Sequence, residues 1–160
     1  MNQSQTLADQ LERAFRGGAW HGPSVSEALE DLEAATAATH PIPGAHSIVE
    51  IVGHLTTWND VARRRIGGES ILNVPPEQDF PAGDRSSPAA WREALERLDA
   101  AHRTLHEVVL ELDDARLGDP VAGSDPTIRG LLLGVIQHSA YHAGQIMMLR
   151  KAIAAREGRG

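Results

Sequence analysis

The sequence predicts an all-α protein built as a four-helix bundle, and three observations carry that prediction. Apolar residues recur at three- and four-residue spacing over several long stretches, the period of an amphipathic helix. The 160 residues are 41% hydrophobic but hold only three Trp, two Phe and one Tyr, so the core must be mostly Leu, Ile, Val and Ala. Ala and Leu favour helices, whereas aromatic and β-branched residues favour strands. Serine caps, glycine stops and prolines bound the periodic stretches, and none of the sequence reads as a strand or an internal repeat. At this length one domain spanning 1–160 is expected, with 1–23 as an N-terminal helix and loop and 24–156 as the bundle.

Residues 5–16 place Leu7, Leu11, Ala14 and Phe15 on one face and stop at Gly17-Gly18, giving a short extra N-terminal helix. Ser24 with Glu27 has capping-box spacing, and Val25, Leu29, Leu32 and Thr36 continue a helical face until Pro41 and Pro43. Ser47 with Glu50 repeats the capping box and opens a helix through Ile51, His54, Leu55, Trp58 and Val61 to Gly67-Gly68. Residues 67–86, rich in Gly, Pro, Ser and Asp, read as one long connection. Ser87-Pro88 starts the next helix, with proline where its missing N–H is harmless, and Trp91, Leu95, Leu98, Leu105, Val109 and Leu112 form its stripe. After a loop from Asp113, Asp125-Pro126 reads as the start of a last helix over about 126–156, whose basic end suits the helix dipole.

Charge and composition exclude several function classes. The net charge is −7, and Arg63-Arg64-Arg65 is the only basic run, so neither nucleic acid nor an anionic membrane surface is an expected partner. Without cysteine there is no disulfide, thiol nucleophile or thiolate ligand. No apolar run approaches a membrane span, and the first residues lack the pattern of a signal peptide, which makes a cytoplasmic protein the expectation.

Three histidines stand out. His138 and His142 are spaced i, i+4, and stepping from Ile128 through Leu131 and Val135 puts both on the core-facing stripe of the last helix. His54 occupies the same kind of position between Ile51 and Trp58. A buried imidazole needs partners for both ring nitrogens, and a shared divalent ion would provide one for each ring. Spacing alone leaves two readings open: a ligand set, or a hydrogen-bonded histidine cluster. Ser139 follows His138 where a zinc protease would carry its glutamate, which argues against a thermolysin-like protease.

The segments His46-Ser47-Ile48-Val49-Glu50-Ile51-Val52-Gly53-His54-Leu55-Thr56-Thr57-Trp58 and Val135-Ile136-Gln137-His138-Ser139-Ala140-Tyr141-His142-Ala143-Gly144-Gln145-Ile146 resemble the second-helix and last-helix motifs of the DinB/YfiT-like superfamily. Their order and spacing match as well, and the likeness covers nearly the whole chain. The resemblance implies an up-down-down-up bundle with 67–86 as its crossover, and a homodimer. It implies a metal site on His54, His138 and His142 holding Ni, Zn, Fe or another divalent ion. It also implies enzymes that transfer or isomerise groups on low-molecular-weight thiols.

An open position on such a metal could lower the pKa of water or bind a thiol as thiolate. The expected activities are therefore a thiol S-transferase or a metal-dependent hydrolase acting on a small molecule. The alternative is a non-catalytic, metal-stabilised helical dimer serving as a binding or stress-response module. His21, in the loop Trp20-His21-Gly22-Pro23, is the candidate catalytic acid or base, against a structural reading of that loop. Glu50 is explained by its cap, and Gln137 and Tyr141 read as groups flanking the histidine face. His40 and His46 fall in loops. His102 and His106 form a rival i, i+4 pair, read as one packed and one solvated histidine. Gly130, Gly134 and Gly144 would allow close helix approach, within the bundle or between subunits.

Overall fold

Capping chemistry sets where the helices begin. In the computed structural model, which describes residues 2–81, 87–124 and 126–158, reciprocal capping boxes open three of them. Asn2 with Gln5 opens α1 (Gln3–Arg16), Ser24 with Glu27 opens α2 (Val25–Leu29), and Ser47 with Glu50 opens α4 (Ile48–Ile66). Between them lies α3 (Ala34–Ala37). Ser87 accepts from the Ala90 N–H to start α6 (Pro88–Leu110), with Pro88 at the first position. A four-residue helix, α5 (Pro76–Asp79), interrupts the expected connection, and a 3-10 turn (Asp114–Gly118) precedes α7 (Ile128–Glu157). The described residues contain no strand, only an isolated bridge between Pro120 and Thr127. No described helix is long and apolar enough to cross a membrane.

Three expectations change. The helix expected over 24–36 is two short helices, because the chain turns extended at Glu30 and left-handed at Asp31 (φ 58°). The Arg150 guanidinium stabilises that break by donating to the Ala28 and Glu30 carbonyls, at 2.9 and 2.8 Å. Helix α1, expected as a short addition outside 24–156, is a full structural member. Its apolar face of Leu7, Leu11, Ala14 and Phe15 is buried, and it packs against α6 and α7. The cap of the last helix is Thr127, whose side chain accepts from the Gly130 N–H at 3.2 Å. Asp125, the expected cap, lies outside the described residues, as do 82–86 of the long connection.

The four long helices contact one another in a ring: α4 with α6, α6 with α1, α1 with α7, and α7 with α4. Two apolar clusters fill the interior. One gathers Ile48, Val52, Trp91, Leu98 and Ile146, and the other Leu11, Ala62, Ile66, Leu105 and Leu132. On α4, His54 falls between Val52 of the first cluster and Ala62 of the second. On α7, His138 and His142 fall between Val135 and Ile146. The histidines thus form a polar layer where the two apolar clusters meet.

Candidate metal centre

Helix periodicity aims His54 inward from α4, and His138 and His142 from successive turns of α7. His54 Nε2 lies 2.9 Å from His138 Nε2, and His142 Nε2 lies 2.9 Å from the same atom. Each of the three offers a ring nitrogen within 4.8 Å of the others. His54 and His142 are buried, whereas His138 is half-buried, at the edge of the core rather than deep in it.

The protonation pattern follows from what the other ring nitrogens touch. His54 Nδ1 faces two acceptors, the Asp79 carbonyl at 3.1 Å and Asp79 Oδ1 at 2.8 Å, so it carries the proton and donates. His142 Nδ1 faces Gln145 Oε1 at 2.7 Å and donates in the same way, while Gln145 Nε2 donates to the Tyr141 hydroxyl at 2.9 Å. In the neutral rings both Nε2 atoms therefore present lone pairs toward His138 Nε2. A single proton on His138 Nε2 cannot bond both neighbours well, and without it three lone pairs converge.

Burial keeps these rings neutral. Loss of solvation, reinforced by the neighbouring histidines, pushes His138 and His142 down to about 4, and burial also lowers His54 against the opposing pull of Asp79. Neutral, desolvated imidazoles with outward Nδ1–H groups held by oxygen acceptors are the form that ligates transition metals. Nitrogens sharing one ion at about 2.0–2.1 Å stand roughly 3 Å apart, so the donor set fits a divalent cation.

Two cavities meet at the histidines. The larger, about 900 Å³, is bordered by all three, together with His46, Phe80, Tyr141 and Gln145. The smaller, about 370 Å³, reaches His54 and His138 from between α4 and the first half of α7. Phe80 is sandwiched between two histidine rings, 3.6 Å from His46 and 4.2 Å from His54 between centroids. Asp79 also accepts from the Trp58 indole N–H at 2.7 Å, and Thr57 donates to the Gln78 carbonyl at 2.8 Å. These bonds pin α5 over α4 and so carry Asp79 and Phe80 to the site.

Asp79, Phe80, His46 and Gln145 are the site residues to which sequence reasoning gave no role. The first two sit in a segment too short and irregular for periodicity to reveal, though an acidic residue beside an aromatic after Pro75-Pro76 was a faint signal. His46 is exposed, as its loop position suggested, yet it borders the cavity. Its Nδ1 lies 3.7 Å from Glu50 Oε2, while His40 Nε2 lies 2.9 Å from the same oxygen. Glu50 thus keeps its expected capping role and gathers two loop histidines.

His21 is not brought to the centre. It is exposed in the loop between α1 and α2, beside a fully exposed Trp20, and does not border the cavities shared by the three histidines. The rival pair follows the expectation for His102 but not fully for His106, which was expected to be solvated. His102 is buried, stacks on Phe15 at 3.9 Å and meets Glu12 Oε2 at 2.8 Å, whereas His106 is only half-buried. Gln137 is exposed, and Tyr141 reaches the centre through Gln145. A Cβ at Gly134 or Gly144 would meet nothing within 4 Å, so neither serves close helix approach among the described residues; both border cavities.

Comparisons with known proteins agree with this architecture. The family model of the DinB superfamily matches residues 19–146. A solved structure described as a conserved protein of locus from Enterococcus faecalis superposes with a TM-score of 0.71 at 18% identity. The superposition covers 97% of this chain and 99% of that one, a likeness of fold. No curated protein matches the sequence. With the family model spanning most of its length, including all three inward histidines, the chain belongs to the DinB superfamily.

Proposed function

We propose that His54, His138 and His142 hold one divalent transition-metal ion, and that the protein is a metal-dependent enzyme acting on a small molecule in the larger cavity. The observation that carries this reading is the convergence of three desolvated Nε2 atoms, two of them with Nδ1–H groups already engaged. When bound, such an ion supplies Lewis acidity that draws a proton from a thiol or from water.

The chain's own residues then have separable roles. Asp79 and Gln145 orient two of the ligands, and Phe80 covers the face of His54. His46, which borders the cavity with its ring stacked on Phe80, is the candidate to accept the proton. His21, the acid or base expected from the sequence, borders neither cavity. Because the chain has no cysteine, a thiol would have to arrive as cosubstrate. The thiol S-transferase is the leading reaction and the hydrolase the second, with Ni, Zn or Fe as candidate ions.

We read the ring of four long helices as the up-down-down-up bundle implied by the sequence motifs. A second copy of the chain is the proposed partner for α7, which exposes Leu133, Tyr141 and Met148 and has no charged residue from Gly130 to Leu149.

Elemental analysis of untagged protein beside His54→Ala tests the centre: about one equivalent of metal, lost in the variant, is expected. Protein that binds no metal even after reconstitution overturns the proposal. Turnover of thiol and hydrolytic substrates that vanishes in a folded His142→Ala variant separates an enzyme from a metal-stapled binding module.

A further inference from the structure

The larger cavity mixes polar and apolar borders, but the smaller one does not. Apart from His54 and His138 at its inner end, it is bordered by Trp58, Ala62, Gly134, Val135 and similar apolar groups. Trp58 turns its indole N–H away to Asp79, leaving the ring to form an apolar wall. Among the described residues, no Asp, Glu, Lys or Arg borders the space. The space beside Gly134 is open: a Cβ there would meet nothing within 4 Å, in the interior of a helix where glycine is otherwise unfavourable. An apolar cavity of about 150 Å³ takes benzene, so about 370 Å³ holds a phenyl ring or a short alkyl chain.

We propose that this smaller cavity is a binding subsite for the apolar group of the substrate, a phenyl or short alkyl substituent whose polar head lies at the three histidines. It rests on the reading of the histidines as the reactive centre and names the class of molecule that centre handles. His54 and His138 border both cavities, so a molecule bound across them places its reacting atom beside the histidines. Its polar part then faces His46, Tyr141 and Gln145. The apolar wall of Trp58, Ala62 and Val135 favours hydrophobic length over charge, because a charged group against it would lose part of its hydration without a partner.

The test is titration of straight-chain thiols, ethanethiol to hexanethiol, into the metal-free and the cobalt-loaded protein, read by the Trp58 indole and Gly134 amide shifts. Affinity is expected to rise roughly threefold to fourfold per added methylene, the gain from burying one such group. Gly134→Leu is expected to flatten that rise, while Gly144→Leu, which projects into the larger cavity, leaves it intact. A Cβ at either position meets nothing within 4 Å, and leucine favours the helix over glycine. Affinity independent of chain length, or a rise abolished by Gly144→Leu and untouched by Gly134→Leu, overturns the proposal. If cobalt fails to bind, the metal reading falls, but the slope in the metal-free protein still decides the subsite.

Discussion

Removing the Asp79 side chain probes how the connection between α4 and α6 tunes the histidine centre. One oxygen, Oδ1, takes the His54 Nδ1–H at 2.8 Å and the Trp58 indole N–H at 2.7 Å. Asp79→Ala removes a charge-assisted bond of the kind that contributes about 1.5–3 kcal/mol. Two features of the structure put the effect at the low end. The Asp79 side chain is 31% exposed, and its backbone carbonyl, 3.1 Å from His54 Nδ1, remains to accept the proton. About 1.5 kcal/mol is roughly tenfold in affinity, within the range seen for residues that orient metal ligands. Asp79→Asn keeps an acceptor oxygen but loses the charge, and should weaken binding only a few-fold. Competition against a chromophoric chelator measures zinc or nickel affinity for both variants, with His54→Ala as the reference for loss of a ligand. Wild-type affinity in Asp79→Ala would refute the idea that this carboxylate sets the orientation and basicity of His54.

Two further outcomes follow from the buried histidines. His138 and His142 titrate near 4 when folded but near 6.5 when unfolded. The unfolded state therefore binds more protons between those values, and metal-free protein loses stability as pH falls from 6.5 toward 4. The loss is about 2 kcal/mol per pH unit for the pair, and urea midpoints that stay level over that window would contradict it. His102→Ala removes a ring stacked on Phe15 inside the core and should cost about 2–4 kcal/mol in urea unfolding, with metal content unchanged. Metal lost along with His102 would show that the rival pair had been assigned the wrong role.

The division between local and long-range information runs through individual residues. Ser24, Ser47 and Ser87 announced their helix starts because a cap is a contact across three residues, complete within the sequence that encodes it. The pairing of His138 with His142 was legible for the same reason, since one helical turn separates them. The break at Asp31 was not legible. It is held by Arg150, some 120 residues away, and no local propensity encodes that bond. The membership of α1 among the long packed helices was equally a matter of which faces found one another.

By itself the sequence determined a helical chain with inward histidines on two helices, because periodicity and capping are properties of neighbouring residues. Only the tertiary structure decided that His54 meets His138 across 84 positions of sequence. It also decided that Asp79 and Phe80 close over the centre, that His46 rather than His21 borders it, and that a second, apolar cavity opens beside it. These depend on the packing of whole helices and on where a short, aperiodic segment comes to rest. Contacts made between segments far apart in the chain set both, so no stretch of sequence contains them.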